Sequence, residues 1–161
     1  MLIHIKQPDN PLIGDGPERA RLEALVAELD LGARVRFLGE RAYGSALIGD
    51  LADYDGLLFT PLSEDTPRMI FDGYAAGLPL IGFDIPYVRE RATEEHACVP
   101  LPFEDISGSA DILGKLTRDR PRLASLARAA HHAAAENASD VWYRRRADWT
   151  IEAHERRIAT A

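Results

Sequence analysis

Two carboxylates, Glu64 and Asp72, flank the step Pro67-Arg68, and only the first has an ordinary structural account. Thr66 or Asp65 can cap a helix and Pro67 can occupy its first turn, so Glu64 and Asp65 are helpful negative charges at a positive helix end. The helix expected from Pro67 to just before Gly77 then carries Asp72 and Gly73 in its middle, directly after the apolar pair Ile70 and Phe71. Those two residues cost about 1.5 kcal/mol of helix propensity relative to alanine. A carboxylate one helical stretch behind a positive helix end can accept hydrogen bonds from two vicinal hydroxyls, while the end itself faces a diphosphate. A nucleotide sugar carries both groups.

Other residues with chemical potential fit weaker patterns. Gly14-Asp15-Gly16 follows a short strand and opens a helix, a turn whose backbone N–H groups could meet a phosphate. A dinucleotide fingerprint would need Gly or Ala where Arg19 stands and an acid near Arg36, and both are lacking. Of the five histidines, His131 and His132 are adjacent and diverge by about 100° on a helix, while His4, His96 and His154 are scattered. That pattern predicts no metal centre. No Gly-x-Ser-x-Gly elbow supplies a nucleophile.

The elements that would position Glu64 and Asp72 follow from hydrophobic spacing. Leu12-Ile13 reads as a short strand before the glycine turn, and Leu22, Leu25, Val26 and Leu29 recur at helical intervals up to Gly32. Val35 to Leu38 forms a second strand stopped by Gly39. A helix around Ala46 to Ala52 leads to a third strand over Gly56 to Thr60, and the segments 78–83 and 97–101 give two more. Short apolar strands alternating with helices predict an α/β protein of the Rossmann-like, doubly wound parallel class, with ligands in the crevice at the carboxyl ends of the strands. The loop from Pro61 to Thr66 would lie there. The expected organisation is one domain over 1–161, with an irregular start over 1–11 and helices filling 109–161. In the last helix Trp142 and Trp149 share a face, which predicts core packing or docking onto a partner.

Bulk properties set limits. At 161 residues the chain can bury roughly two-thirds of its unfolded surface in one domain. A formal net charge of -7 argues against nucleic acid as a partner. The basic run Arg144-Arg145-Arg146 reads as a solvated helix face, with an anionic partner or lipid surface as the alternative. The single cysteine, Cys98, cannot form an internal disulfide, and residues 1–10 contain no sustained apolar run. These features predict a cytoplasmic protein, peripheral at the membrane if the basic run meets lipid.

The ordered motifs carry a resemblance. The stretch from Gly14 to Glu23, the segment Val35 to Gly39, and Glu64 through Pro79 ending in Gly77-Leu78-Pro79 resemble the C-terminal, nucleotide-sugar-binding domain of family 4 (group 1) glycosyltransferases with the GT-B fold. In that family two glutamates separated by seven residues mark the donor site. The resemblance implies that Glu64 is the catalytic-site carboxylate beside the donor hexose and that Asp72 meets the ribose hydroxyls. It also implies that Asp65, Thr66 and Pro67 offer backbone N–H groups near the sugar and phosphates, and that Gly39, Glu40 and Arg41 lie by the base. The implied reaction moves a hexose from a UDP- or GDP-type donor to an acceptor hydroxyl, with retention of configuration and no metal or further cofactor.

Three departures qualify the match. Asp72 is one methylene shorter than the family's glutamate, so its ribose contact needs a water or a shifted backbone. No residue before Leu12 matches the family's opening strand and its Arg and Lys that hold the diphosphate; Arg68 could substitute, or is a solvated first-turn arginine. The acceptor-binding half of the family has no counterpart here, so the chain alone is expected to be incomplete for turnover. The expected partners are the donor, an acceptor of unknown kind, and a separate acceptor domain or a second copy of the chain. The rival expectation is a vestigial nucleotide-binding or partner-interaction module, and a GT-B-like epimerase would need catalytic acids for which no matching set is seen.

Overall fold

A computed structural model describes residues 1–3, 10–63 and 68–159. In chain order these form β1 (Leu2–Ile3), β2 (Asn10–Ile13), α1 (Arg19–Glu28), β3 (Val35–Gly39), α2 (Ser45–Leu51), β4 (Gly56–Phe59) and α3 (Met69–Ala75). There follow β5 (Leu80–Phe83), α4 (Pro86–Glu94), β6 (Cys98–Leu101), α5 (Ile106–Arg118), α6 (Arg120–Glu136) and α7 (Ser139–Ala159).

Alternation along the central strands builds the fold. β4, β5 and β6 pair in parallel, with Leu57 beside Leu80 and Leu80 beside Cys98. Leu57, Phe59, Leu80 and Cys98 feed one core with Leu51, Ile70, Tyr74, Val88, Ala130 and Ala133 from α2, α3, α4 and α6. Their neighbours Leu58, Ile81, Phe83, Val99 and Leu101 feed a second core with Leu116, Leu123 and Leu126 from α5 and α6. A period of two thus loads both faces of the sheet, and helices cover both, as the doubly wound class requires.

The structure differs from the sequence reading in several places. The start expected to be irregular over 1–11 contains β1, which pairs antiparallel with β4 through Leu2–Leu57 and Ile3–Gly56. Leu2 is 3% exposed, so burial of one side chain anchors a strand too short to show periodicity. β2 and β3 form their own parallel pair, hydrogen-bonded separately from the order β1-β4-β5-β6. α4 is not foreseen by the sequence reading, because Val88 is its one buried residue and four of its nine residues are charged. Leu25 on α1 and Leu29 at its C-cap are 44% and 55% exposed, and no residue of the helix is buried, so its apolar stripe meets no core among the described residues.

Of the two roles expected for the tryptophans, core packing or docking onto a partner, the structure removes the first. Trp142 and Trp149 pack edge-to-face at 5.8 Å on α7, and both stay exposed. Arg145 lies over the Trp142 ring and pairs with Glu136 at 2.8 Å, while Arg144 pairs with Asp140 at 2.7 Å. No helix among the described residues is long and apolar enough to cross a membrane.

Candidate donor site

α3 is built to bring one carboxylate to a cleft while its opposite side presses on the sheet. Ile70 and Tyr74 are fully buried, and Gly73 between them meets β4 so closely that an added Cβ would lie 3.0 Å from Leu57 Cδ2. The helix ends in a Schellman motif: Gly77 adopts φ +77°, its N–H donates to the Tyr74 carbonyl at 2.9 Å, and the Leu78 N–H donates to the Gly73 carbonyl at 2.8 Å. Asp72 lies in the first turn of this seven-residue helix, where the positive end offsets part of its poor propensity. Gly73 is therefore explained by packing. Asp72, half-buried on the neighbouring face, is left for the cleft.

That cleft, of about 430 Å³, is lined by Tyr43, Arg68, Met69 and Asp72. The Tyr43 hydroxyl donates to Asp72 Oδ1 at 3.0 Å, and the carboxylate holds the phenol's pKa above its ordinary value by accepting its proton and opposing its charge. Asp72 and Met69 also border a second, apolar hollow of about 210 Å³ floored by Leu2, Ile13, Leu47, Leu51 and Leu57. Tyr43 follows β3 and Arg68 follows β4, so both stand beyond the carboxyl ends of parallel strands, where chain reversal opens a crevice in α/β sheets.

Of the residues singled out from the sequence, the cleft joins Arg68 and Asp72. Glu64, Asp65, Thr66 and Pro67 lie outside the described residues. Gly39 ends β3 with φ +67°, its carbonyl accepting from the Gly14 N–H at 2.8 Å, and exposed Glu40 and Arg41 lead the chain from it to Tyr43. Gly14, Asp15 and Gly16 border a separate hollow of about 370 Å³ with Arg19 and Phe37. Arg19 there is held by Asp15 at 3.0 Å and Glu23 at 2.8 Å. Tyr43 is the residue that sequence reasoning missed. Its signal was an aromatic side chain beside Gly44 in a polar loop, outside any apolar period. Among the described residues no three metal-ligating side chains converge.

The sequence matches the glycosyl transferases group 1 family over residues 6–133, and the chain belongs to that family. It is 34% identical over 124 residues to the lipopolysaccharide core biosynthesis glycosyltransferase LpsD of Rhizobium meliloti, a match covering 74% of this chain and 34% of that protein. It is 29% identical over 147 residues to the exopolysaccharide phosphotransferase SCO2592 of Streptomyces coelicolor, covering 83% of this chain and 15% of that protein. The chain thus spans about a third or less of these relatives. In fold it resembles Anabaena Alr3699/HepE, solved in complex with UDP-glucose, with a TM-score of 0.74 at 21% identity over 92% of this chain and 43% of that one. The Rossmann-like α/β architecture is that of half of a GT-B glycosyltransferase.

Proposed function

We propose that this chain is the donor-binding part of a glycosyltransferase that moves a hexose from a nucleotide sugar to an acceptor hydroxyl with retention of configuration. The observation carrying this reading is Asp72: an acid of poor helix propensity, in a family-matched segment, half-buried on a cleft wall beside Arg68. UDP is the favoured nucleotide because a fold neighbour was solved with UDP-glucose.

In this reading Asp72 accepts the ribose hydroxyls and Glu64 meets the hexose. Charge grows on the leaving diphosphate as the glycosidic bond breaks, and Arg68 on the cleft wall is a cation able to oppose it. Catalysis rests on positioning and fixed charge rather than on a covalent nucleophile. Full turnover would draw on an acceptor-binding domain or a second copy of the chain.

Binding of UDP, GDP, UDP-glucose and GDP-mannose, measured by ligand-observed NMR on the wild type and on Glu64→Ala and Asp72→Ala, tests this. Loss of a charged hydrogen-bond acceptor is expected to weaken binding by about tenfold or more. Unchanged thermal unfolding must accompany that loss. A folded wild type that binds none of these ligands at millimolar concentration overturns the reading.

A second reading, a partner-interaction module without turnover, draws on the exposed apolar side chains of α1 and α7: Leu25, Leu29, Trp142, Trp149 and Ile158. Sedimentation equilibrium separates the two. Self-association without nucleotide binding favours the module.

A further inference from the structure

We infer that Tyr43 is the nucleobase platform of the donor site, a ring held in place by its own hydroxyl on Asp72. This deepens the donor-site reading and rests on it.

Tyr43 is 79% exposed, yet its ring is not free to swing. Its hydroxyl is fixed on Asp72 Oδ1 at 3.0 Å across 29 positions of sequence. An exposed ring tethered at its far end offers a broad face at low entropic cost, because the two torsions that a stacked tyrosine must fix are already restrained. The same carboxylate holds the phenol's pKa above its ordinary value, so the hydroxyl stays a donor at neutral pH.

The tether also sets a distance. Asp72 Oδ1 is occupied by the phenol, and the carboxylate retains a second oxygen and further lone pairs for hydroxyl donors. A nucleoside carries its base next to its ribose. A ligand whose ribose hydroxyls reach the free side of Asp72 therefore brings its base to the Tyr43 ring, on the same cleft wall. Stacking is tolerant of base identity because every base has a π-face, so Tyr43 supplies affinity for the nucleoside and leaves the choice of base to other contacts.

The test compares UDP binding by wild type, Tyr43→Phe, Tyr43→Leu and Asp72→Ala, following the uracil H5 and H6 resonances. Replacing the ring with leucine is expected to weaken binding by about fivefold or more, the range set by base–aromatic stacking. The upfield ring-current shift of H5 and H6 is expected in wild type and Tyr43→Phe and absent in Tyr43→Leu. Phenylalanine keeps the face and loses the tether, so its affinity falls between the two. If UDP binds wild type and is lost in Asp72→Ala, but Tyr43→Leu binds as wild type with the same H5 and H6 shifts, the platform is overturned while the donor site stands. If folded wild type binds none of UDP, GDP, UDP-glucose and GDP-mannose, both fall together.

Discussion

Gly73 and Leu57 meet where α3 crosses β4, and a Cβ on Gly73 would come within 3.0 Å of Leu57 Cδ2 and 3.6 Å of Leu57 Cβ. Leu57 is 4% exposed within the first core, so it can give way only toward the apolar hollow that it floors. Alanine at Gly73 would gain about 1 kcal/mol of helix propensity and lose about 1–3 kcal/mol to overpacking. The expected net is a destabilisation of about 1 kcal/mol for Gly73→Ala and more for Gly73→Val, read from urea midpoints. Equal or raised stability in both variants would show that the close approach does not constrain this position.

Gly77 is constrained twice. Its φ of +77° disfavours any side chain, and an added Cβ would lie 2.5 Å from His131 Nε2 on α6. Gly77→Ala is expected to cost about 2–3 kcal/mol, combining backbone strain with overpacking. In a His131→Ala background the steric part disappears and about 1–2 kcal/mol of strain is left. A double-mutant cycle over urea unfolding measures that coupling. Additive costs would assign the whole penalty to the backbone.

The sequence carried the fold through residues that act in pairs of adjacent periods. Leu57-Leu58-Phe59 and Leu80-Ile81 each load two faces, which made β4 and β5 readable, and Gly77 marked the end of α3. β1 was not legible because two residues show no period. α4 was not legible because Val88 alone supplies its buried contact. The tryptophans left core packing and docking undecided because apolar spacing on a helix does not say whether a core exists to receive it. At the candidate site, helix propensity singled out Asp72, which the cleft does contain, whereas the neighbouring Tyr43 needed the third dimension: its partner lies 29 residues away, in another element.

Arg91 and Glu95 join at 2.6 Å with 14% and 8% of their side chains exposed, and Asn137 donates to the same Glu95 oxygen at 3.4 Å. Truncating one partner of a buried pair leaves the other charge uncompensated, which typically costs about 3–5 kcal/mol. The flanking pairs of Arg91 with Glu90 and Glu94 are more exposed and contribute less. Arg91→Met is therefore expected to destabilise by about 3 kcal/mol. Arg91→Met combined with Glu95→Leu should recover most of that loss in the same denaturation experiment. A double variant no more stable than the single one would mean that packing of the arginine stem, rather than the charge pair, accounts for the loss.

Cys98 shares its buried site with Tyr74, whose hydroxyl lies 3.0 Å from the thiol. Burial pushes the Cys98 thiol up to about 12, and burial together with the neighbouring thiol raises the Tyr74 phenol as well. Unfolding releases both groups to ordinary values near 8.5 and 10. Between about pH 9 and 12 the unfolded chain therefore binds fewer protons than the folded one, and stability falls as pH rises. Below pH 8 both states hold these protons and the pair gives no pH dependence. Urea titrations from pH 7 to 11 are expected to show a flat region and then a decline that is shallower in Cys98→Ala, while Ellman's reagent labels the native wild type only at the rate of unfolding. Rapid labelling of native protein at pH 8 would place the thiol in contact with solvent and remove the basis for the decline.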